Sequence, residues 1–345
     1  MTQNHTPEIS QLTGWWNGVT TADFDGDGRL DLACSNWGRN TPYESHLSRP
    51  LQLIYGDMNG DGLLETVEAF FDIGIKKFVP RRQLDFLGKA MPFLRARFNS
   101  NMAFGRASVE EVLGEQGKQI RRLEAVWLES TIFLNRGDHF EARPLPVEAQ
   151  MAPAFGVCTG DLDGDGHEDI FLSQNFFATQ PDTPRYDGGR GLLLKGDGRG
   201  DFSAVSGRES GIAIYGEQRG AALCDFDHDG RVDLVVTQNG AETRVFRNST
   251  AKPGLRLRLA GPAGNPDGVG AALRLNCGGK IGPVREIRAG SGYWSKDSAG
   301  QIMAVSGSPI RLHVRWPGGL EVTVDVPDDA REVILDADGK LTVIR

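Results

Sequence analysis

The chain has 345 residues, a formal net charge of −8, 45 Gly, 17 Pro and four Cys, enough length for two or more domains with a sizeable core. The acidic balance speaks against a nucleic-acid surface, which wants a basic face, and no run of about 18 apolar residues marks a membrane span. Cys34, Cys158, Cys224 and Cys277 show no Cys-x-x-Cys spacing, which argues against a zinc or thioredoxin-like site.

In chain order, Met1 to Gln11 lacks a basic region followed by an apolar run, so no signal peptide is expected there. Gly14-Trp15-Trp16-Asn17-Gly18 leads into a short strand and then into Asp23, Asp25, Asp27, Gly28 and Asp31. The phrase recurs as Asp57, Asn59, Asp61, Gly62 and Glu65, as Asp161, Asp163, Asp165, Gly166 and Asp169, and as Asp225, Asp227, Asp229, Gly230 and Asp233. Carboxylates at alternate positions, a Gly to turn the backbone, and an acid three residues later describe a cage for a hard cation. Short Asp side chains on one tight loop suit calcium, which takes about 6 to 8 oxygens in flexible geometry. The carbonyls of Arg29, Leu63, His167 and Arg231, at the seventh position of each loop, are expected to complete the ligand sets.

A single such loop is an ordinary acidic turn, since Asp and Gly are what turns use; four in register are not. An EF-hand needs a bidentate Glu at the twelfth position, where these loops have Cys34, Glu68, Leu172 and Val236. The flanks are also β-like, as in Asp169-Ile170-Phe171-Leu172 and Val232-Asp233-Leu234-Val235-Val236. The four ligand sets hold fifteen carboxylates, so the acidity of the chain is local to the loops. Up to four calcium ions are expected. Trp15, Trp16 and Trp37 read as a sugar platform or, more commonly, as rings packed between sheets, and Cys158 and Cys224 as small hydrophobes in the strands entering two loops.

From about Lys76 to Trp127 the pattern turns helical and basic, with Arg81, Arg82, Lys89, Arg95, Arg97 and Arg106 among apolar residues. Ser108-Val109-Glu110-Glu111 is a capping box and Gly114 a stop. The insertion reads as a small cap with a solvated face, or as a docking surface for an anionic partner. Ile132 to Phe140 and Leu192 to Phe202 read as hairpins at a sheet edge. Each contains Arg-Gly-Asp, at Arg136 to Asp138 and Arg199 to Asp201, which turn chemistry produces easily. Asn4-His5-Thr6 and Asn248-Ser249-Thr250 match the glycosylation acceptor pattern. Beyond Lys252 the loops stop, and Leu255-Arg256-Leu257-Arg258-Leu259 and Ile310 to Trp316 alternate strictly, the mark of half-buried strands.

The loops with their strand flanks resemble the FG-GAP or VCBS repeats that build β-propellers. Gly268-Val269-Gly270-Ala271, Arg288-Ala289-Gly290-Ser291-Gly292-Tyr293 and Val314-Arg315-Trp316-Pro317-Gly318-Gly319 look like an ASPIC/UnbV domain. Together the two parts are similar to the cartilage acidic protein family, bacterial branch. The chain departs from that pattern at Trp294-Ser295-Lys296-Asp297. The resemblance implies an all-β chain: a calcium-loop propeller over 12–251, with a helical insertion at about 76–127, then a β-sandwich-like domain over 252–345. The repeats left after removing the insertion supply about four units of propeller-blade length. This leaves open a small or incomplete propeller, a fragment of a larger one, or a ring completed by another chain through self-association.

The expected function is a calcium-binding interaction or adhesion module without catalytic activity, extracellular or in the cell envelope as the resemblance implies, with a protein or carbohydrate ligand. The alternatives are a propeller-based lyase or hydrolase with its site in the central channel, and a structural matrix protein. No Gly-x-Ser-x-Gly elbow, phosphate-binding loop or His-Glu-x-x-His helix is present. An enzyme would have to assemble scattered residues such as Tyr186, Asp187, His139 or His46.

Overall fold

The computed structural model describes residues 8–345 except Asp182; Asn4-His5-Thr6 and the rest of residues 1–7 lie outside the described residues. As expected, the fold is mostly β-sheet with a small helical part. By internal packing the chain divides into two units, one of Trp16–Asn40 with Glu129–Arg345, the other of Thr41–Leu128 with the segment ending at Trp15.

The first unit opens with a four-stranded sheet of Gly18–Ala22, Asp31–Ser35, Thr131–Asn135 and Phe140–Pro144, and the chain leaves between its second and third strands to build the other unit. A second four-stranded sheet consists of Ala154–Gly160, Asp169–Gln174, Leu192–Gly196 and Phe202–Val205; a third has Glu217–Cys224, Asp233–Asn239 and Ala241–Phe246. All pairings in these sheets are antiparallel.

Strand alternation explains how the three sheets pack. Ile170 and Leu172 join Ala22, Ala33 and Ile132 in a core with the first sheet, while Phe171 points the other way, into a core with Ala221, Leu223 and Leu234 of the third. The middle sheet is covered on both faces, so every residue of Ala154–Gly160 and Asp169–Gln174 is buried. A continuous apolar run rather than strict alternation follows from that double cover.

Two further sheets make a sandwich from Leu255 onward. One contains Leu255–Ala260, Gln301–Met303, Glu332–Asp336 and Leu341–Val343; the other contains Ala272–Cys277, Lys280–Ile281, Ile310–Arg315 and Glu321–Val326, with Arg285–Glu286 beside it. The alternating Leu255, Leu257 and Leu259 meet Leu273, Leu275, Leu312 and Val314 across one core.

The segment between Arg288 and Asp297 ties this sandwich to the first strands of all three preceding sheets. Arg288 donates to Thr20 Oγ1, to the Thr21 carbonyl at 2.7 Å and to Thr159 Oγ1 at 3.4 Å. Gly292 bridges Val19, and Asp297 accepts from the Leu223 N–H at 2.8 Å. Gly292 is obligatory there: it has φ +62°, and a Cβ would lie 2.5 Å from the Val157 carbonyl.

The second unit has its own sheet of Leu51–Gly56, Glu65–Asp72, Lys77–Pro80 and Arg121–Ala125, with helices Leu84–Ala90, Phe93–Arg97, Asn101–Gly105 and Val109–Leu113. Ile54, Val67 and Ala69 of the sheet share a core with Leu87, Leu94, Val109 and Leu113 of the helices. The expected capping box forms: Ser108 Oγ accepts from Glu111 N–H at 3.2 Å and the Glu111 carboxylate from Ser108 N–H at 2.6 Å. The basic residues are largely spent locally, Arg81 and Arg82 against Glu68 and Arg97 on the Val112 carbonyl. Trp15 stacks on Tyr43 of the short helix Pro42–His46 at 4.7 Å, and Trp16 of the first unit meets Phe133 edge-on at 5.7 Å.

Candidate metal centres

All four loops are closed by the same three backbone bonds. The first carboxylate accepts from the Gly N–H at position six: Gly28 to Asp23 at 3.0 Å, Gly62 to Asp57 at 2.9 Å, Gly166 to Asp161 at 2.9 Å, Gly230 to Asp225 at 3.2 Å. The last accepts from position two: Phe24 to Asp31 at 2.8 Å, Met58 to Glu65 at 2.7 Å, Leu162 to Asp169 at 2.8 Å, Phe226 to Asp233 at 3.1 Å. Position five accepts from position seven, as Arg29 to Asp27, Leu63 to Asp61, His167 to Asp165 and Arg231 to Asp229, at 2.8 to 3.0 Å. The four position-six glycines sit at φ +83° to +91°, where a side chain would be strained. Position four also turns left-handed, by Gly in three loops and by His228 at φ +60° in the fourth.

What differs is which acids converge. Asp23, Asp25 and Asp27 bring ligand oxygens within 4.8 Å of one another, as do Asp161, Asp163 and Asp169, and Asp225, Asp227 and Asp229. Among the described residues the second loop forms no such group. Its position three is Asn59, whose amide donates to Asp61 at 2.9 Å and to the Ala90 carbonyl at 3.1 Å.

The last acid of the other three loops does a second job. Its remaining oxygen accepts a backbone N–H at the end of the third strand: Asn135 to Asp31 at 2.7 Å, Gly196 to Asp169 at 2.9 Å, Asn248 to Asp233 at 2.7 Å. These carboxylates therefore clamp three strands together. Asp31 and Asp233 fall outside the converging groups, whereas Asp169 belongs to its group; Asp165 instead turns to Lys195 at 2.9 Å.

Burial pushes the Asp31 carboxyl up to about 6 and Asp169 up to about 8, and raises Asp23, Asp161 and Asp233 as well. In each case loss of water is the main cause, offset only in part by backbone donors. Ionised acids crowded in so dry a place call for positive charge. Part of it is built in, and the loop sequences gave no sign of it: Arg136 pairs with Asp25 at 2.5 Å, Lys195 with Asp163 and Asp165, and Arg247 with Asp227 and with Asp229 at 3.2 Å. The signal lay at the end of each third strand, where the cation is the chain neighbour of Asn135, Gly196 or Asn248.

The donor sets fit a divalent oxygen-seeking ion. Asp23 is 2% exposed, its Oδ2 accepts from Gly28 and Val284, and its Oδ1 has no hydrogen-bond partner among the described residues. A buried carboxylate oxygen left without a donor is costly unless something else satisfies it. Of the residues named for an enzyme site, Tyr186 lies edge-on to Trp37, the Asp187 carbonyl accepts from Arg190 at 2.8 Å, His139 pairs with Asp138, and His46 tilts against Phe70. The four cysteines are free, and burial alone pushes the Cys34 thiol up to about 12.

Among solved structures, the chain is similar to that of an exotype rhamnogalacturonan lyase at 12% identity, covering 92% of this chain and 57% of that one, with a TM-score of 0.23. It thus spans less than two thirds of that protein's length, and a likeness this weak says nothing about activity. No curated protein matches. Residues 261–340 match the family described as ASPIC and UnbV, so the sandwich that follows the three loop-bearing sheets carries an ASPIC/UnbV domain.

Proposed function

We propose that this chain is a calcium-binding interaction or adhesion module without catalytic activity, in which propeller-type repeats over 12–251 precede an ASPIC/UnbV-type β domain over 252–345. The observation that carries it is that three loops of one backbone frame each gather three acids, at the same corner of three stacked sheets. The second loop keeps the frame without such a group among the described residues, so the convergence is more than a consequence of the turn. All-oxygen donor sets favour calcium over the softer transition metals.

The ions are held by Asp23, Asp25 and Asp27; by Asp161, Asp163 and Asp169; and by Asp225, Asp227 and Asp229. The carbonyls of Arg29, His167 and Arg231 and the acids Asp31, Asp165 and Asp233 act in support. The second loop, with Asp57, Asn59, Asp61, Leu63 and Glu65, is the fourth and weakest site. Bound calcium supplies the positive charge that these crowded carboxylates require. The chain's own part is to fix the carboxylates with backbone donors, so that ion binding adds directly to folding free energy. An extracellular or envelope setting follows from the resemblance. In the described residues no helix is long and apolar enough to cross a membrane.

Equilibrium dialysis against calcium, repeated with a hundredfold excess of magnesium, tests this reading. Saturable calcium uptake that magnesium fails to displace is expected. No uptake, or equal displacement by magnesium, contradicts it.

A further inference from the structure

At the strand ends opposite the acidic loops, aromatic rings from distant parts of the chain form one continuous row. Trp294 stacks on Tyr293 at 5.0 Å and 18°, Tyr293 meets Phe155 at 5.4 Å, Phe155 meets Phe176 at 6.1 Å, Phe176 meets Trp37 at 5.2 Å and Trp37 meets Tyr186 at 5.5 Å. Phe155 is buried and anchors the row, whereas Trp294 is 89% exposed and sits at φ +50°. A bulky residue held in the left-handed region to display its ring to water is a strained arrangement of the kind found at binding sites.

The row is built to be rigid. Asn175, fully buried at φ +88°, donates to the carbonyls of Gly189 at 3.1 Å and Gly216 at 3.0 Å and accepts from Gly189 N–H at 2.8 Å. It pins the segment carrying Phe176 and Tyr186 onto the start of Glu217–Cys224. Arg219 lies over Phe155 of the row at 4.0 Å; beside the row in the chain, Arg185 lies over Phe177 at 5.3 Å, and Arg190 lies over Tyr215 at 4.5 Å and donates to the carbonyls of Asp187 at 2.8 Å and Gly189 at 2.6 Å. Arg219 is neutralised by Glu217. Arg185 and Arg190 form no ion pair among the described residues, and Tyr215 is itself 69% exposed.

We propose that this surface binds a polysaccharide chain bearing uronic-acid carboxylates. The C–H faces of pyranose rings stack on flat aromatic rings held still, at little cost in side-chain entropy. Planar guanidiniums that no carboxylate neutralises match carboxylates in a two-pronged geometry. A neutral glycan would leave the charges of Arg185 and Arg190 uncompensated, and an apolar peptide would not call for them. The site needs the β framework but none of the acidic loops, so it goes beyond the calcium reading.

Calorimetry and tryptophan fluorescence with a galacturonate tetramer and with cellotetraose, on the calcium-loaded chain, test it. The uronate is expected to bind at least tenfold more tightly than the neutral tetramer. Trp294→Ala is expected to weaken uronate binding about tenfold, and Arg185→Gln with Arg190→Gln to abolish the preference for uronate. Trp294 is exposed, so its variant keeps the parent melting temperature and calcium content. Absence of uronate binding, equal binding of cellotetraose, an unaffected Trp294→Ala, or binding of a protein partner alone would each overturn the proposal. A chain that holds calcium but no uronate contradicts this inference only; one that binds uronate but no calcium contradicts only the preceding one.

Discussion

The second acidic loop and its three counterparts share a backbone and differ in what they gather. In all four, the first acid caps the position-six Gly and the last acid caps position two. Among the described residues, only in the loops of the stacked sheets do three acids converge, and there the last acid reaches onward to a third strand. The turn is therefore a local property of Asp, Gly and the closing acid, whereas the metal centre depends on position three and on what the sheet brings beside the loop.

The sharpest way to break that comparison is to remove the closing acid in both settings. Asp169→Ala strips the buried N–H groups of Leu162 and Gly196 of their acceptor and is expected to cost about 3 kcal/mol in urea unfolding, while Glu65→Ala, which frees only Met58, is expected to cost about 1 kcal/mol. Equal costs would mean that the third-strand clamp contributes nothing.

Next in size is the pH dependence of the metal-free chain. Asp31, at about 6, and Asp169, at about 8, hold their protons more tightly folded than at the ordinary 3.8. Their contribution is complete below about pH 4 and is lost as pH rises through about 6 and about 8. Melting temperature without calcium should therefore fall from pH 4 to 8, and saturating calcium should flatten or reverse the trend. A metal-free chain that gains stability over that range contradicts the burial argument.

Asn59→Asp should strengthen the second loop, the weakest site, and raise the count of tightly held calcium ions from three to four. An unchanged count would place the deficiency elsewhere than at position three. The smallest effect expected is from Arg247→Gln, which frees Asp227 and Asp229 of a competing, exposed charge. Calcium affinity should rise about two- to fivefold at low salt and less at high salt.

Much of this was legible in the sequence because it is short-range. The Asp-x-Asp-x-Asp-Gly phrase fixes φ at Gly28, Gly62, Gly166 and Gly230, and Ser108 with Glu111 fixes a helix start. The counter-charges Arg136, Lys195 and Arg247 were missed because they lie a strand away, 111, 32 and 20 residues from the acids they meet. Arg288 and Asp297 were quoted only as pattern; that they fasten the sandwich to three inner strands depends on contacts across 74 to 268 residues. The same holds for the aromatic row. Trp37 and Trp294 are ordinary tryptophans until the fold places Phe155 and Phe176 between them, and Asn175 carries no local sign that its backbone turns left-handed.

The most direct test of the central claim is native mass spectrometry of the chain with and without calcium, read beside its thermal unfolding. Three tightly held calcium ions, one per stacked sheet, are predicted, with a stabilisation of about 2.7 kcal/mol per site at a hundredfold excess over Kd. No bound ion and no shift in melting would contradict the account and leave the three clusters as acidic turns neutralised by their own arginines and lysine.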